Sequence, residues 1–374
     1  MSKQKTTINK NTNISLFDSL TPIFLLVGLL YVNVNIYGDS SLEGSNQFIL
    51  LIGAAIAFLV GLKNKIQVDF IFNTISKNIK SISNPIIILL LVGALSGTWL
   101  LSGIIPSMIY YGFNIINASF FLPACVIISA IVAIATGSSW STSATIGIAL
   151  IGIGKALGFE VGVVAGAVIS GAYFGDKMSP LSDTTNLAAA VAGSNLFDHI
   201  KYMMITTVPT ICIALVFFVF YNLFNLPSEN LNNVDYIESI KDFFYISPIL
   251  FIVPLIVVLM IIKKINPIIS LFVGTIAAAL FTLIFQSELI DNIINQNSNI
   301  GVSTYTIIMD SIVSKTTIET NTLFLNELLT SGGMSGMLDT IWLVICAMIF
   351  GGVMEAIGAL KSISLSLLNI AKST

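Results

Sequence analysis

The stretch I-I-I-L-L-L-V-G-A-L-S-G-T-W-L-L-S-G-I-I, residues 86–105, decides the class of fold. It carries no charged side chain, and about 20 mostly apolar residues are what a helix needs to cross a bilayer. The whole chain of 374 residues is 55% hydrophobic and only 9% charged, with a mean hydropathy of +0.94. Since globular domains carry about 25% charge, the composition predicts an all-α polytopic membrane protein.

Composition also excludes several functions. All 16 basic residues are lysines and the net charge is −3, so no basic face exists to bind nucleic acid. The three cysteines lie far apart in apolar runs, and His199 is the single histidine, which argues against a disulfide framework or a multi-histidine metal centre. We find no nucleophile–base pair and no cofactor motif, so the sequence predicts neither an enzyme nor a bound cofactor.

Hydropathy and lysine placement together predict the membrane topology. Lysines cluster in the N-terminal tail and between the second and third spans, whereas the loops at 37–45, 226–247 and 286–336 are acidic. Because lysines favour the cytoplasmic side, we predict a multi-pass protein with a cytoplasmic N-terminus. The ten predicted spans are 20–37, 46–62, 84–105, 119–136, 139–158, 160–177, 201–225, 248–262, 267–285 and 339–359.

The order of the spans indicates an inverted-topology repeat. Three spans precede the central region and three similar spans follow it, with Gly97-x5-Gly103 matched by Gly352-x5-Gly358. The second repeat is expected to be incomplete. Residues 64–82 read as an interfacial amphipathic helix, and the external loop 286–336 as short surface helices. The predicted division is a tail at 1–19, a first transport repeat at 20–225, an external linker at 226–247 and a partial second repeat at 248–374.

Residues 136–145, T-G-S-S-W-S-T-S-A-T, place seven hydroxyl side chains where a membrane helix is normally apolar. One interpretation is an interface of small residues whose hydroxyls bond to their own helix. The other is a broken or re-entrant segment whose oxygens line an ion site, since irregular backbone is tolerated there only beside a cavity or inside protein. The candidate residues are Gly137 for the break and Ser138, Ser139, Ser141 and Thr142 as ligands.

The strongest candidate is 171–186, G-A-Y-F-G-D-K-M-S-P-L-S-D-T-T-N. Pro180 cannot continue a helix and Gly175 weakens one, so the chain is expected to break there and free carbonyl groups. Hard cations favour oxygen ligands, and a helix beginning near Asp183 would direct its positive end at an anion. The proposed ion ligands are Asp183, Asp176, Ser179, Ser182, Thr184, Thr185 and Asn186, with Lys177 and Glu355 as secondary candidates.

Structural alternatives remain open for these residues. Asp176 and Lys177 could simply end a span at the cytoplasmic interface. The sequence S-x-x-D-T-T around Asp183 could be an ordinary helix cap. Glu355 could be a partnered structural carboxylate. Because a carboxylate inside a membrane is costly, we take Asp183 as the first functional choice.

These stretches resemble the NhaC-type sodium/proton antiporters of the ion transporter superfamily. The similar segments are G-T-W-L-L-S-G at 97–103, G-S-S-W-S-T at 137–142, G-A-Y-F-G-D-K-M-S-P-L-S-D-T-T-N-L-A at 171–188 and F-D-H-I-K at 197–201. The resemblance implies an inverted-repeat fold with broken helices at the midplane. It also implies exchange of cytoplasmic sodium for external protons across a bacterial inner membrane. Members of the family continue for roughly another repeat beyond the point where this sequence ends.

The resulting hypothesis is a secondary antiporter in which Asp183 binds sodium and protons in competition, with Asp176 as second proton carrier. Sodium, protons and the lipid bilayer are then its partners, and a homodimer is left open. One alternative is a sodium-coupled exchanger of small carboxylates such as malate and lactate, held by Lys177 and the helix dipole. Another is an inactive, truncated transporter fragment.

Overall fold

The computed structural model is almost entirely helical. It describes residues 14–115, 118–180, 182, 184–185, 188–189, 194–226, 240–263, 265–296, 303–320, 326 and 329–371. In chain order the helices are α1 Leu16–Tyr37, α2 Ser45–Lys63, α3 Val68–Ser81, α4 Ser83–Leu101, α5 Ile104–Ile115, α6 Phe121–Thr136, α7 Ser139–Thr142, α8 Ile148–Ala156, α9 Val161–Met178, α10 Leu196–Phe224, α11 Ile252–Ile262, α12 Pro267–Phe285, α13 Ser287–Gln296, α14 Thr304–Val313, α15 Leu338–Ala356 and α16 Ala359–Ala371. A two-residue hairpin, β1 Thr316–Thr317 and β2 Thr330–Ser331, is antiparallel.

Membrane-spanning helices dominate this architecture. Within the described ranges, seven helical segments are long and apolar enough to cross a bilayer. Three of the ten predicted spans are not among them: 139–158 is interrupted, 160–177 forms the 18-residue α9, and 248–262 is a short apolar segment. The prediction of an all-α polytopic membrane protein is confirmed.

The chain divides into two compact units, and the division falls inside α4. The first unit contains residues up to 87 and from 337 onward, and the second contains residues 88–336. In the first unit, α2 packs closely because it has a glycine at its contact point. A Cβ atom on Gly53 would lie 3.0 Å from Leu26 of α1 and 3.4 Å from Phe350 of α15.

The second unit repeats this contact with different residues. A Cβ atom on Gly274 of α12 would lie 2.6 Å from Val257 of α11 and 3.0 Å from Leu95 of α4. Each unit thus packs a glycine of its second helix against one apolar side chain from the first helix and one from a long helix elsewhere in the sequence.

Further positions in the two units match in the same way. Corresponding positions with similar packing are Leu26 and Val257, Gly53 and Gly274, Ala57 and Ala278, Ile71 and Ile307, Ile75 and Ser311, Leu95 and Phe350, Gly97 and Gly352, and Gly103 and Gly358. The two units therefore share a packing pattern, as the predicted repeat would require. The internal repeat, its inverted orientation and the division at 20–225 and 248–374 stay predictions.

Two helix breaks, at Gly103 and Gly358, are not predicted from the sequence. The predicted spans 84–105 and 339–359 end earlier, at Leu101 and Ala356, and a new helix starts after each break. Gly103 has a φ of +76° and Gly358 a φ of +77°, values that an L side chain rarely adopts. The repeated glycines therefore mark the ends of helices as well as the contacts between them.

The two segments expected to lie at surfaces are packed against spans. Residues 68–81 form the predicted helix α3, but its Ile71 is fully buried and a Cβ on Gly352 would lie 2.9 Å from Ile75 Cα. Within 286–336 short helices occur as predicted. The helix α14 buries Ile307 and Ser311 on one face and leaves Tyr305 70% exposed on another, so a position at the surface stays a prediction. The glycine of α4 at position 97 removes the side chain that would otherwise keep α14 away.

Adjacent glycines in α15 provide a test of this packing. We expect Gly352→Ala to destabilise the protein by about 1–3 kcal/mol, because the added methyl group meets the α3 backbone, which cannot rotate away. Gly351→Ala is the matched control, since a Cβ there meets nothing within 4 Å. Thermal unfolding in detergent measures both variants. Equal melting temperatures for the two variants would contradict the close approach of α3 and α15.

Candidate functional site

Two parallel helices, α6 and α9, form the framework of the site. Gly171 lies against Val126, and four residues further along both helices Gly175 lies against Ala130. In both places a Cβ atom on the glycine would fall on a backbone carbonyl of α6. The helices are therefore in direct backbone contact, and their register advances in the same direction.

The first break in the site follows α6. Gly137 has φ +69° and ψ 23°, the left-handed conformation that commonly ends a helix at glycine. The single turn of α7 follows, and then a π-helical segment, Ser143–Gly147, leads into α8. Such π-segments occur frequently at functional sites. The hydroxyl-rich stretch is thus an interrupted helix.

The break brings the hydroxyl-rich stretch to a carboxylate of α9. Ser139 is buried, and its Oγ donates to Asp176 Oδ2 at 2.8 Å. Asp176 is half-buried. On the other side of the break, Thr136 and Thr142 share a hydrogen bond at 3.2 Å, and Thr142 Oγ1 donates to the Ser138 carbonyl at 2.9 Å. Oxygen atoms from two segments distant in sequence therefore converge near Asp176.

A second break follows α9, before Pro180. Ser179 is extended, with φ −79° and ψ 127°, and its backbone N–H donates to the Asp176 carbonyl at 3.2 Å. Its buried hydroxyl crosses to α6 and donates to the Ile134 carbonyl at 2.7 Å. Thr185 is also buried and donates to the Lys177 carbonyl at 3.3 Å. The chain after α9 is thereby held against the ends of both helices.

The remaining predicted residues are distributed as follows. Ser182 is buried and its hydroxyl lies 2.9 Å from that of Thr184, which is exposed. Lys177 is exposed beside Asp176, and Glu355 is exposed near the end of α15 in the other unit. Asp183, the first choice from the sequence, and Asn186 lie outside the described residues, as does the side chain of Ser141.

Sequence reasoning did not name Thr136 or the Ile134 carbonyl as part of this cluster. Thr136 lies in the hydroxyl-rich stretch, directly before the predicted helix break at Gly137, and this position could have indicated that it belongs to the cluster. The Ile134 carbonyl had no signal, because its contact with Ser179 depends on the register of α6 and α9. The cluster offers one carboxylate and several neutral oxygens, which suits a hard monovalent cation or a proton.

Membrane-spanning helices, together with the oxygen-lined double break of the second unit, are features of a polytopic membrane protein of the ion-transporter class. The family model for the Na+/H+ antiporter family matches residues 4–223 and 171–374. The chain belongs to this family. Its homologues are antiporters and not enzymes, and they agree with the resemblance inferred from the motifs.

Individual relatives differ in the substrates that their names give. The chain is 35% identical over 319 residues to the malate-2H+/Na+-lactate antiporter of Bacillus subtilis, covering 85% of this chain and 65% of that protein. It is 36% identical over 289 residues to Na+/H+ antiporter NhaC of the same organism, covering 76% of this chain and 60% of that protein. With an uncharacterized Na+/H+ antiporter of Haemophilus influenzae it shares 32% over 367 residues, 97% of this chain and 74% of that protein. No solved structure matches the chain.

The hydrogen bond between the ends of α9 and α6 leads to a prediction. We expect Ser179→Ala to lower the free energy of unfolding by about 1–3 kcal/mol, because it leaves the Ile134 carbonyl without this donor. Ser170→Ala is the control within α9, since among the described residues Ser170 bonds back to the Gly166 carbonyl of its own helix. Urea or thermal unfolding in detergent compares the two. A Ser170→Ala loss as large as that of Ser179→Ala would contradict the bridging role.

Proposed function

We propose that the protein exchanges sodium for protons across a bacterial cytoplasmic membrane by alternating access. The observation that carries this proposal is the Asp176 carboxylate, held by Ser139 Oγ at 2.8 Å where the α6 and α9 breaks meet. The similarity to Na+/H+ antiporters of Bacillus subtilis and Haemophilus influenzae supports it. Lysines in the tail and in the linker before α4 support a cytoplasmic N-terminus.

A single carboxylate is sufficient to couple the two ion fluxes. When Asp176 is ionised it can balance the charge of sodium, and when it is protonated it cannot. Binding of either ion therefore excludes the other, and each conformational cycle carries one in place of the other. Neutral oxygens complete the cation's coordination, from Ser138, Ser139, Thr142, Ser179, Ser182, Thr184 and Thr185 on the described chain and from Ser141 and Asn186.

Asp183 is proposed as a second carboxylate of the same site. It lies seven residues beyond Asp176 in the sequence and three beyond Pro180, in a segment whose neighbours Ser182 and Thr185 are buried. Lys177 would adjust the local charge from the exposed face. Glu355 is proposed only as a secondary coupling residue. If these residues have the proposed roles, replacing any of them by a neutral residue should reduce sodium/proton exchange. Neutralising a surface charge without such a role should leave the exchange unchanged.

Neutralising Asp176 tests the central assignment. In everted vesicles with an imposed proton gradient, sodium should dissipate the gradient for the wild type. Asp176→Asn should lower this activity by at least about tenfold, because the neutral amide can neither be protonated nor balance sodium. Asp176→Glu should retain part of the activity. Glu160→Gln is the control, since Glu160 is exposed at the start of the same helix.

Two outcomes would contradict the proposal. If Asp176→Asn exchanged sodium for protons at the wild-type rate, the carboxylate would not be the coupling group. If the folded wild type produced no sodium response in the vesicles, sodium/proton exchange itself would be wrong. Protein amount and melting temperature must be measured for each variant, so that misfolding is separated from loss of coupling.

A second candidate function is sodium-coupled exchange of small carboxylates. The observation that favours it is the 35% identity to the malate-2H+/Na+-lactate antiporter over 319 residues. Lys177 and a helix beginning after Pro180 would then hold the substrate carboxylate. The same vesicles distinguish the two functions. A sodium response that requires malate on one side and lactate on the other supports carboxylate exchange, whereas a response to sodium alone supports the first function.

A further inference from the structure

Ser129 is a polar residue in α6 that neither the motifs nor the proposed site includes. Its side chain is fully buried, and its hydroxyl has no hydrogen-bond partner in the described part of the chain. A serine in a membrane helix normally donates to the carbonyl four residues earlier, as Ser170 does in α9. A buried hydroxyl without a partner is destabilising, so its presence calls for a ligand or a function.

The register of α6 and α9 places Ser129 on the same side as Asp176. The two helices are parallel and touch at Ala130 and Gly175. Successive residues are rotated by about 100° around a helix axis, and the rotation has the same sense in both parallel helices. At the contact, the two helices face each other. The residue just before the contact on α6 and the residue just after it on α9 therefore project to the same side of the pair. Ser129 and Asp176 are those two residues. Because Gly175 lies between the Ala130 carbonyl and the Ile134 amide, Ser129 and Asp176 are separated by about 6 Å along the helix axes.

Burial on the two sides of the helix pair supports this placement. Ile127 and Ile131, on the opposite side of α6, are 40% and 62% exposed. On the side of Asp176, the hydroxyl-rich stretch reaches the pair through Ser139, whose Oγ donates to Asp176 Oδ2 at 2.8 Å. Ser129 itself is fully buried. The hydroxyl of Ser129 therefore lies on the side of the helix pair that the hydroxyl-rich stretch approaches.

We propose that Ser129 supplies a further oxygen to the cation site, contacting sodium directly or through one water molecule, and so helps to determine its affinity for sodium. This inference rests on the proposed function. Ser139 already occupies one oxygen of Asp176, and the Thr136 and Thr142 hydroxyls bond to each other or to carbonyls. Ser129 is buried on this side, and its hydroxyl makes no hydrogen bond with any described group. Its oxygen is therefore available to a cation.

Transport kinetics of Ser129→Ala test the proposal. Loss of one oxygen ligand should raise the KM for sodium by about fivefold, while Vmax stays within about twofold of the wild type. Ser107→Ala is a matched control, because Ser107 is also fully buried and has no hydrogen-bond partner among the described residues, but belongs to α5. It should leave the KM for sodium unchanged.

Sodium-dependent melting of the purified protein provides a second measurement that needs no transport. Sodium should raise the melting temperature of the wild type and of Ser107→Ala, and should raise that of Ser129→Ala less at the same concentration. If Ser129 had only a structural role, removal of its unpaired hydroxyl would leave stability unchanged or higher, with an unaltered KM and sodium response. That result would overturn the inference.

The variants separate failure of this inference from failure of the proposed function. Loss of exchange in Asp176→Asn together with wild-type sodium affinity in Ser129→Ala would overturn the role of Ser129 alone. Wild-type exchange in Asp176→Asn would overturn the site itself, and the role of Ser129 with it.

Discussion

Every backbone N–H and C=O group inside the hydrocarbon core must find a partner within the protein, and this constraint governs the whole structure. Unbroken helices satisfy it internally, so a break needs a specific compensation. At the α4 break, the carbonyl of Ser102 accepts a hydrogen bond at 3.1 Å from the side chain of Gln286, which is itself buried. The break can therefore lie in a fully buried part of the second unit, although it carries freed backbone groups.

The same requirement produces the candidate site. When α6 and α9 end, the groups that compensate for their ends are hydroxyls, with Ser179 donating to the Ile134 carbonyl and Thr142 to the Ser138 carbonyl. Serine and threonine are therefore concentrated where carbonyls are free, and both kinds of oxygen lie near Asp176. Breaking membrane helices in this way therefore surrounds the Asp176 carboxylate with hydroxyl and carbonyl oxygens. The structural and chemical roles of these hydroxyls are consequently inseparable.

Sequence reasoning succeeded where a local pattern is sufficient. The span predicted at 267–285 coincides with α12, because Asn266 caps its first turn, Pro267 begins it and an uninterrupted apolar run follows. It failed at Gly103, where the hydropathy continues through the break and the freed carbonyl of Ser102 finds its partner 184 residues away in Gln286. In the site, both polar stretches were recognisable separately. The hydrogen bond that joins Ser139 to Asp176 follows from the glycine contacts of α6 and α9, which local patterns do not specify.

The two glycine breaks are alike in backbone geometry and different in the groups that stabilise them. Both glycines have nearly the same φ. The side chain of the polar residue Gln286 packs against Gly103. At the other break, the residue before Gly358 is the fully buried Ile357, which packs near Gly61 of α2. One backbone solution is thus stabilised by a hydrogen bond in one unit and by apolar packing in the other. The two breaks therefore share a backbone geometry and differ in the chemistry that stabilises it. The carboxylate and hydroxyls of the candidate site lie in α6–α9, outside the helices that carry the matching positions, so the groups that would bind the ion are separate from the packing pattern common to both units.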